Sequence, residues 1–481
     1  MTVQTGVFAA YFVVVFAIGW ISLRRTSSDE DYWIAGGDLG WFVGGATLAA
    51  THTSAGTFVG TIGVMYTAGW SFGWVLLSIP LAYWFVAAVL APRFTRVRQL
   101  TLPAFIEARY YSKRVRGLAA AIVLVATVVY IQAQIVAGGL VANIVFGLPV
   151  KQGMVLFTLV LLAYTVVGGM VAVVYTDAFQ LVVMCLGAAL ALPLTVRQVD
   201  GWGRLFELVE SAQPTVFAWG TLPATLLFTM GLAFFLGSVA TPEKLIRLYA
   251  MKDMPTIRRG VFFAVVVVTC LNLTVFLMAL GAIVLFPNLP TGDLAMPMVA
   301  TAVLPPALGA MMLAAITAAM MSTVDSLLIV AGSALSVDLY QNLVDPDASP
   351  RRRAWVDRTG IVVVGLVPLV LLLSGVGEGE LVQFIVLLFT ALMAASFALP
   401  VVGGVLWRRA TREGAASAMV GGVLSTFAWE VFGSEAIDPV LPGIIVSAAL
   451  FVGVSLATPP PPAAAVAPYF ERDPKPEGSR G

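Results

Sequence analysis

The chain has 481 residues, 59% of them hydrophobic and 11% charged, with a mean hydropathy of +0.95. Soluble domains carry about 25% charged residues, so this composition describes an all-α, polytopic membrane protein. A net charge of +1, one histidine and two cysteines give no footing for nucleic-acid binding, a disulfide framework or a His-based metal centre.

A span needs about 20 apolar residues. Thirteen such runs can be read, near 5–23, 41–68, 72–92, 117–145, 153–172, 174–195, 222–241, 260–286, 307–337, 359–375, 381–406, 414–432 and 439–457. The first lacks a basic leader and a small-residue cleavage site, so a retained span is expected there. Orientation follows from the Lys/Arg bias. With the N-terminus outside and the C-terminus in the cytoplasm, the inner segments 24–40, 93–116, 242–259, 338–358, 407–413 and the tail hold 24 of the 27 Lys/Arg. In this reading Glu243 is a solvated residue at the inner end of the seventh span. Residues 1–458 form one transmembrane domain with no loop large enough for a soluble one. The Pro-rich, charged segment 459–481 reads as a disordered cytoplasmic tail.

Three stretches carry candidate chemistry. The second span contains GGATLAATHTSAGTFVG, Gly44 to Gly60, with four glycines and five hydroxyl residues. Such a patch predicts an unwound helix, whose free carbonyls can coordinate Na⁺ and whose half-helix ends can face a solute. Close helix packing through small residues is the alternative. His52, the one histidine, falls here. It could couple protons or bind an anion, or be a neutral hydrogen-bonded structural residue.

GGMVAVVYTDAFQ, Gly168 to Gln180, places a tight turn at Gly168 and Gly169 and Asp177 about one turn into the next span, where it serves function or is a helix-start residue near water or a partner for an arginine. In AAMMSTVDSLL, Ala319, Ser322, Thr323 and Ser326 fall at i, i+3, i+4 and i+7 and share a helical face. Asp325 borders that face. A carboxylate inside a span is costly and usually serves an ion or substrate path. No Walker A loop, nucleophile elbow or zinc-ligand cluster is present, so enzyme chemistry and nucleotide-driven pumping have no support.

With these residues the sequence resembles the sodium:solute symporter family. The resemblance runs from YWIAGG at Tyr32–Gly37 to the LWRRAT loop after Val405, and rests on ATHTSAGTFVG, GGMVAVVYTDAFQ and MSTVDSLLIVAGSALSVDLYQ. It implies a LeuT-type core of two inverted five-helix repeats, about 41–195 and 222–406, in the plasma membrane. It implies Na⁺ as the coupling ion, held by carbonyls of Ala50, Thr53 and Ala319 and hydroxyls of Ser322 and Thr323. A second cation or proton site would match Asp177, Asp325 and Ser326 beside Ser322. There Asp325, replacing a hydroxyl, either strengthens a cation site or shares a proton with Asp177. The solute would bind near His52, Gly56, Thr57, Phe235, Gly237 and Ser238.

Gly56 offers no side chain to a sugar, and ATPE at Ala240–Glu243 departs from the proline carriers. The expected activity is Na⁺-coupled uptake of a small organic solute, either a pantothenate-like organic acid or an amino acid such as proline. Proton coupling in the same fold, or a solute sensor without net transport, are the rivals. Membrane lipids are the expected surroundings, and no protein partner is implied.

Overall fold

The computed structural model describes residues 3–23, 35–94, 96–97, 99, 101–377 and 379–470. Tyr32–Ile34 of the YWIAGG motif and tail residues 471–481 lie outside this set. Among the described residues the chain is helical, with one isolated bridge, Leu39 to Met251, and no strand.

In chain order the helices are α1 (Val3–Leu23), α2 (Trp41–His52), α3 (56–68), α4 (73–94), α5 (Leu102–Tyr110), α6 (Lys113–Phe146), α7 (Val150–Arg197) and α8 (Trp202–Ala212). Then come α9 (Ala224–Ala240), α10 (Pro242–Ala250), α11 (Met254–Leu285), α12 (Gly292–Val303), α13 (Pro306–Val344) and α14 (Pro350–Leu373). α15 (Val382–Leu406), α16 (Arg412–Phe432), α17 (Val440–Ala457) and α18 (Ala463–Phe470) close the chain.

Ten of these helical stretches are long and apolar enough to cross a membrane among the described residues, or eleven when α9 and α10, bent by 41°, count as one span. The expected thirteen is larger because hydropathy runs are not the same as uninterrupted helices. The second run is broken after His52, leaving a 12-residue α2. α3 and α4 merge into one long apolar stretch through a turn at Gly69, whose positive φ of 72° lets Trp70 N–H reach Val216 O at 2.7 Å. α7 carries the fifth and sixth runs and is interrupted at Gly169 (φ 62°, ψ 177°), where the GG pair predicts a turn.

α13 is the hub. Every residue from Met312 to Ser333 is buried, against α7, α1, α6 and α2. A helix that is apolar all round belongs inside the bundle, so any polar group on it must find its partner in protein. Large apolar side chains such as Trp20, Trp84, Phe262 and Leu424 point outward, where in a soluble protein they would form adhesive patches. Cys185 and Cys270 are unbonded, and Cys270 is exposed on this outer surface.

Two local expectations change. Ala463–Phe470 is a helix rather than disordered, with Tyr469 buried edge-on against Phe105 at 5.9 Å. Glu243 is not solvated: the bend between α9 and α10 carries Pro242–Ala250 into the core, and every residue of α10 is buried. Lys244 and Arg247, counted above with the inner-loop cations, go in with it.

Candidate functional site

α2 stops at His52 because Thr53 turns extended (φ −78°, ψ 105°). Past the break the backbone is satisfied from elsewhere. Ala55 N–H donates to Gln134 Oε1 of α6 at 2.9 Å, and Gly56 N–H donates to Ser54 Oγ at 3.0 Å. The carbonyls before the break thereby lose their usual partners four residues on and turn toward α13.

There they meet the hydroxyl face. Ser322 Oγ lies 3.1 Å from Ala50 O and 3.2 Å from Ala319 O. Thr323 Oγ1 lies 3.1 Å from Ala319 O, 3.4 Å from Thr51 O and 3.5 Å from Thr53 O. The five groups expected at the main sodium position are thus brought around one point, with Thr51 O joining them. Oxygen-only cradles suit hard cations. A cation held roughly 2.4 Å from oxygen sets neighbouring ligands at right angles roughly 3.4 Å apart, close to these spacings. Among the described residues no group of three or more His, Cys, Asp or Glu could hold a metal, so the cradle is of the neutral kind.

A cavity of about 30 Å³ lies beside the break, lined by His52, Ser54, Gly56, Thr57, Tyr130, Phe234, Lys244, Asn272, Gln383 and Thr390 among others. It has room for one or two waters, so a solute enters only if the surrounding helices move. His52 stacks edge-on against Tyr83 at 5.5 Å, and its Nδ1 is buried without a hydrogen-bond partner. Lys244 projects from α10 into this space and donates to Ser238 Oγ at 3.2 Å.

Of the expected solute residues, His52, Gly56 and Thr57 line the cavity, and Ser238 borders it through Lys244. Phe235 and Gly237 do not line it. Phe235 faces an outer groove and packs on Phe85 at 5.8 Å, while its neighbour Phe234 takes the cavity. Gly237 is a packing position, where a Cβ would come 2.8 Å from Thr390 O.

The remaining candidates separate. Asp177, fully buried, accepts at Oδ2 from Thr47 Oγ1 (2.6 Å), Thr51 Oγ1 (3.5 Å) and Arg247 Nη2 (2.9 Å). Ser326 lies in the same group: Arg247 Nη2 donates to its Oγ at 2.5 Å, and Thr51 Oγ1 is 3.3 Å away. Asp325 instead accepts from Thr165 Oγ1, 2.5 Å away, on the half of α7 before the Gly169 break.

Lys244, Arg247, Asn272, Gln383 and Gln134 were not singled out from the sequence. For the two cations a signal did exist. Pro242 follows Thr241 as a proline at the first helical position, a common helix start, and Lys244 and Arg247 then sit at i, i+3.

The sequence profile of the sodium:solute symporter family matches residues 32–422. The chain is 30% identical over 463 residues to the sodium/pantothenate symporter of Escherichia coli strain K12, covering 92% of this chain and 94% of the relative. It is 27% identical over 460 residues to the high-affinity proline transporter PutP of Bacillus subtilis strain 168, covering 92% and 96%. In fold it is similar to a Na⁺-coupled sialic acid symporter solved in a substrate-bound outward-open state, with a TM-score of 0.82 at 20% identity over 96% of this chain and 99% of that one. The chain belongs to the sodium:solute symporter family and is a sodium-coupled membrane transporter, not an enzyme.

Proposed function

We propose that the protein couples inward Na⁺ flow to uptake of a small organic anion, with a carboxylate as the recognised group. The observation that carries this reading is Lys244. Its ammonium has three donors and uses one on Ser238. Among the described residues no carboxylate comes within 4.0 Å of it, although it is nine-tenths buried and lines the cavity next to the cation cradle. The buried Glu243 carboxylate acts on it through space but makes no direct ion pair; a buried charge without a direct partner is costly, and an anionic solute in the cavity would supply one. Asn272, Gln383 and the hydroxyls of Ser54 and Thr57 add neutral hydrogen-bonding groups for the rest of the molecule. The similarity to a pantothenate symporter agrees with this class; proline, the solute of the second relative, also carries a carboxylate.

In this account Na⁺ binds to carbonyls of Ala50, Thr53 and Ala319 and hydroxyls of Ser322 and Thr323. It ties α13 to the broken α2 and favours the form that accepts solute from outside. Two inverted five-helix repeats, about 41–195 and 222–406, then rock about the site. This takes place within a thirteen-span, N-out and C-in arrangement in the plasma membrane. Release to the cytoplasm runs past the polar group of Asp177, Asp325 and Ser326. Each tenfold Na⁺ ratio supplies about 1.4 kcal/mol.

One observation favours a rival, proton coupling: His52 Nδ1 lines the cavity side of the break with no partner. A melting screen of the purified protein with short monocarboxylates and their uncharged amides, with and without Na⁺, tests the proposal. It expects Na⁺-dependent stabilisation by carboxylates only. Stabilisation by amides as much as by acids would overturn the anion assignment.

A further inference from the structure

Arg247 is 1% exposed, and its guanidinium is enclosed by acceptors from four helices, its own among them. Nη2 donates to Asp177 Oδ2 at 2.9 Å and to Ser326 Oγ at 2.5 Å. Nε donates to Thr47 Oγ1 at 2.9 Å, and Nη1 to Glu243 O of its own helix at 2.7 Å. Asp177 Oδ2, Ser326 Oγ and Thr47 Oγ1 are oxygens a small cation at Asp177 would use, while Asp177 Oδ1 is buried with no hydrogen-bond partner. A fixed positive charge already bridges all three. This polar group is joined to the sodium cradle: Ser326 Oγ donates to Ser322 O at 2.7 Å, and Ser322 Oγ contacts Ala50 O.

We infer that Arg247 is a built-in cation that takes the place of a second coupling ion at Asp177, so that the transporter binds one Na⁺ and carries one per cycle. The inference rests on the reading of Ser322 and Thr323 as ligands of the Na⁺ that is bound. A guanidinium and a Na⁺ carry the same charge, and the planar fork of the arginine matches carboxylate and hydroxyl oxygens with several hydrogen bonds at once. Once paired, Asp177 has no net charge left to attract an ion. Because Arg247 is tethered to the chain, it neutralises Asp177 without being transported. Asp325, turned toward Thr165, lies outside this bridge.

The test counts ions and needs no solute. Equilibrium binding of radiolabelled Na⁺ to the purified full chain in nanodiscs should give one saturable site per protein. Arg247→Gln strips the cation from Asp177 and should double the saturating Na⁺. Arg247→Lys keeps the charge and should leave one site. The pair Asp177→Asn with Arg247→Gln removes both charges and should also give one, which covers the case in which an unpaired Asp177 unfolds the single variant. Two sites in the wild type, one of them lost in Asp177→Asn, would overturn the inference alone. One site in a folded Arg247→Gln protein would do the same. No saturable Na⁺ binding in the wild type would overturn the sodium-site reading and this inference with it.

Discussion

Thr323 is the most exacting place to test the cation cradle. Its Oγ1 contacts Ala319 O at 3.1 Å, the ordinary helical back-bond, and sits 3.4 and 3.5 Å from Thr51 O and Thr53 O across the interface. Thr323→Val keeps the shape and removes the oxygen. A hydrogen-bonding or ligating group facing a charge contributes about 2 kcal/mol, so the loss should weaken Na⁺ binding about 30-fold. Helix stability should fall little, because the back-bond competes only weakly with the helix's own ladder. The assay is the Na⁺ concentration giving half of the Na⁺-induced rise in melting temperature. Thr317→Val is the control: it is on the same helix, also buried, and its Oγ1 makes the same kind of bond to Leu313 O at 2.9 Å. Thr317→Val should leave the Na⁺ midpoint unchanged. If Thr323→Val and Thr317→Val both stay within about twofold of wild type, the cradle has been misassigned.

Other perturbations follow from the same geometry. Lys244→Met would leave a bound carboxylate buried without its partner, at a cost of about 3–5 kcal/mol, so carboxylate-induced stabilisation should vanish while Na⁺ stabilisation persists; Lys244→Arg should retain part of it. Gly60→Ala would set a methyl 2.7 Å from Gln383 Oε1 and 2.9 Å from its backbone N, which should lower stability by about 1–3 kcal/mol in a thermal melt. Asp293, at the start of the non-spanning α12, accepts from Val382 N–H at 3.0 Å, but burial pushes its carboxyl up to about 7. A raised carboxyl pKa means that the folded state binds the proton more tightly. Its contribution is therefore full below about pH 4 and is lost as pH rises through about 7. Melting temperature should fall across that window, and more shallowly in Asp293→Asn. One Na⁺ moving with one monoanion carries no net charge, so uptake should ignore an imposed membrane potential; a potential-driven current during uptake would contradict the single-ion count.

What could be read from sequence is what depends on local spacing. Ala319, Ser322, Thr323 and Ser326 share a face whatever the fold, and the Gly- and Thr-rich run at Gly44–Gly60 signals a weak helix wherever it sits. The partners of these groups depend on tertiary placement. Asp325 and Asp177 both lie near Ser322 and Ser326 in or around the same core, yet one takes Thr165 and the other Arg247, a choice made by helices far away in sequence. Phe234 rather than Phe235 reaches the cavity because one residue turns a helix by about 100°. α10 is the element least legible in the sequence. Three charges in seven residues, Glu243, Lys244 and Arg247 among 242–248, read as a solvated inner loop under the Lys/Arg rule. That rule assumes charges outside spans meet water, and the bend after Ala240 turns these inward.

On the proposed mechanism a Na⁺ gradient drives accumulation of a carboxylate solute through this chain. The direct measurement is uptake, into proteoliposomes, of the carboxylate that best stabilises the protein, with Na⁺ and proton gradients imposed separately and the potential clamped at zero. Accumulation above the outside concentration is expected with inward Na⁺ alone, and should be abolished when K⁺ replaces Na⁺. Accumulation that follows the proton gradient and is indifferent to Na⁺ would contradict that mechanism.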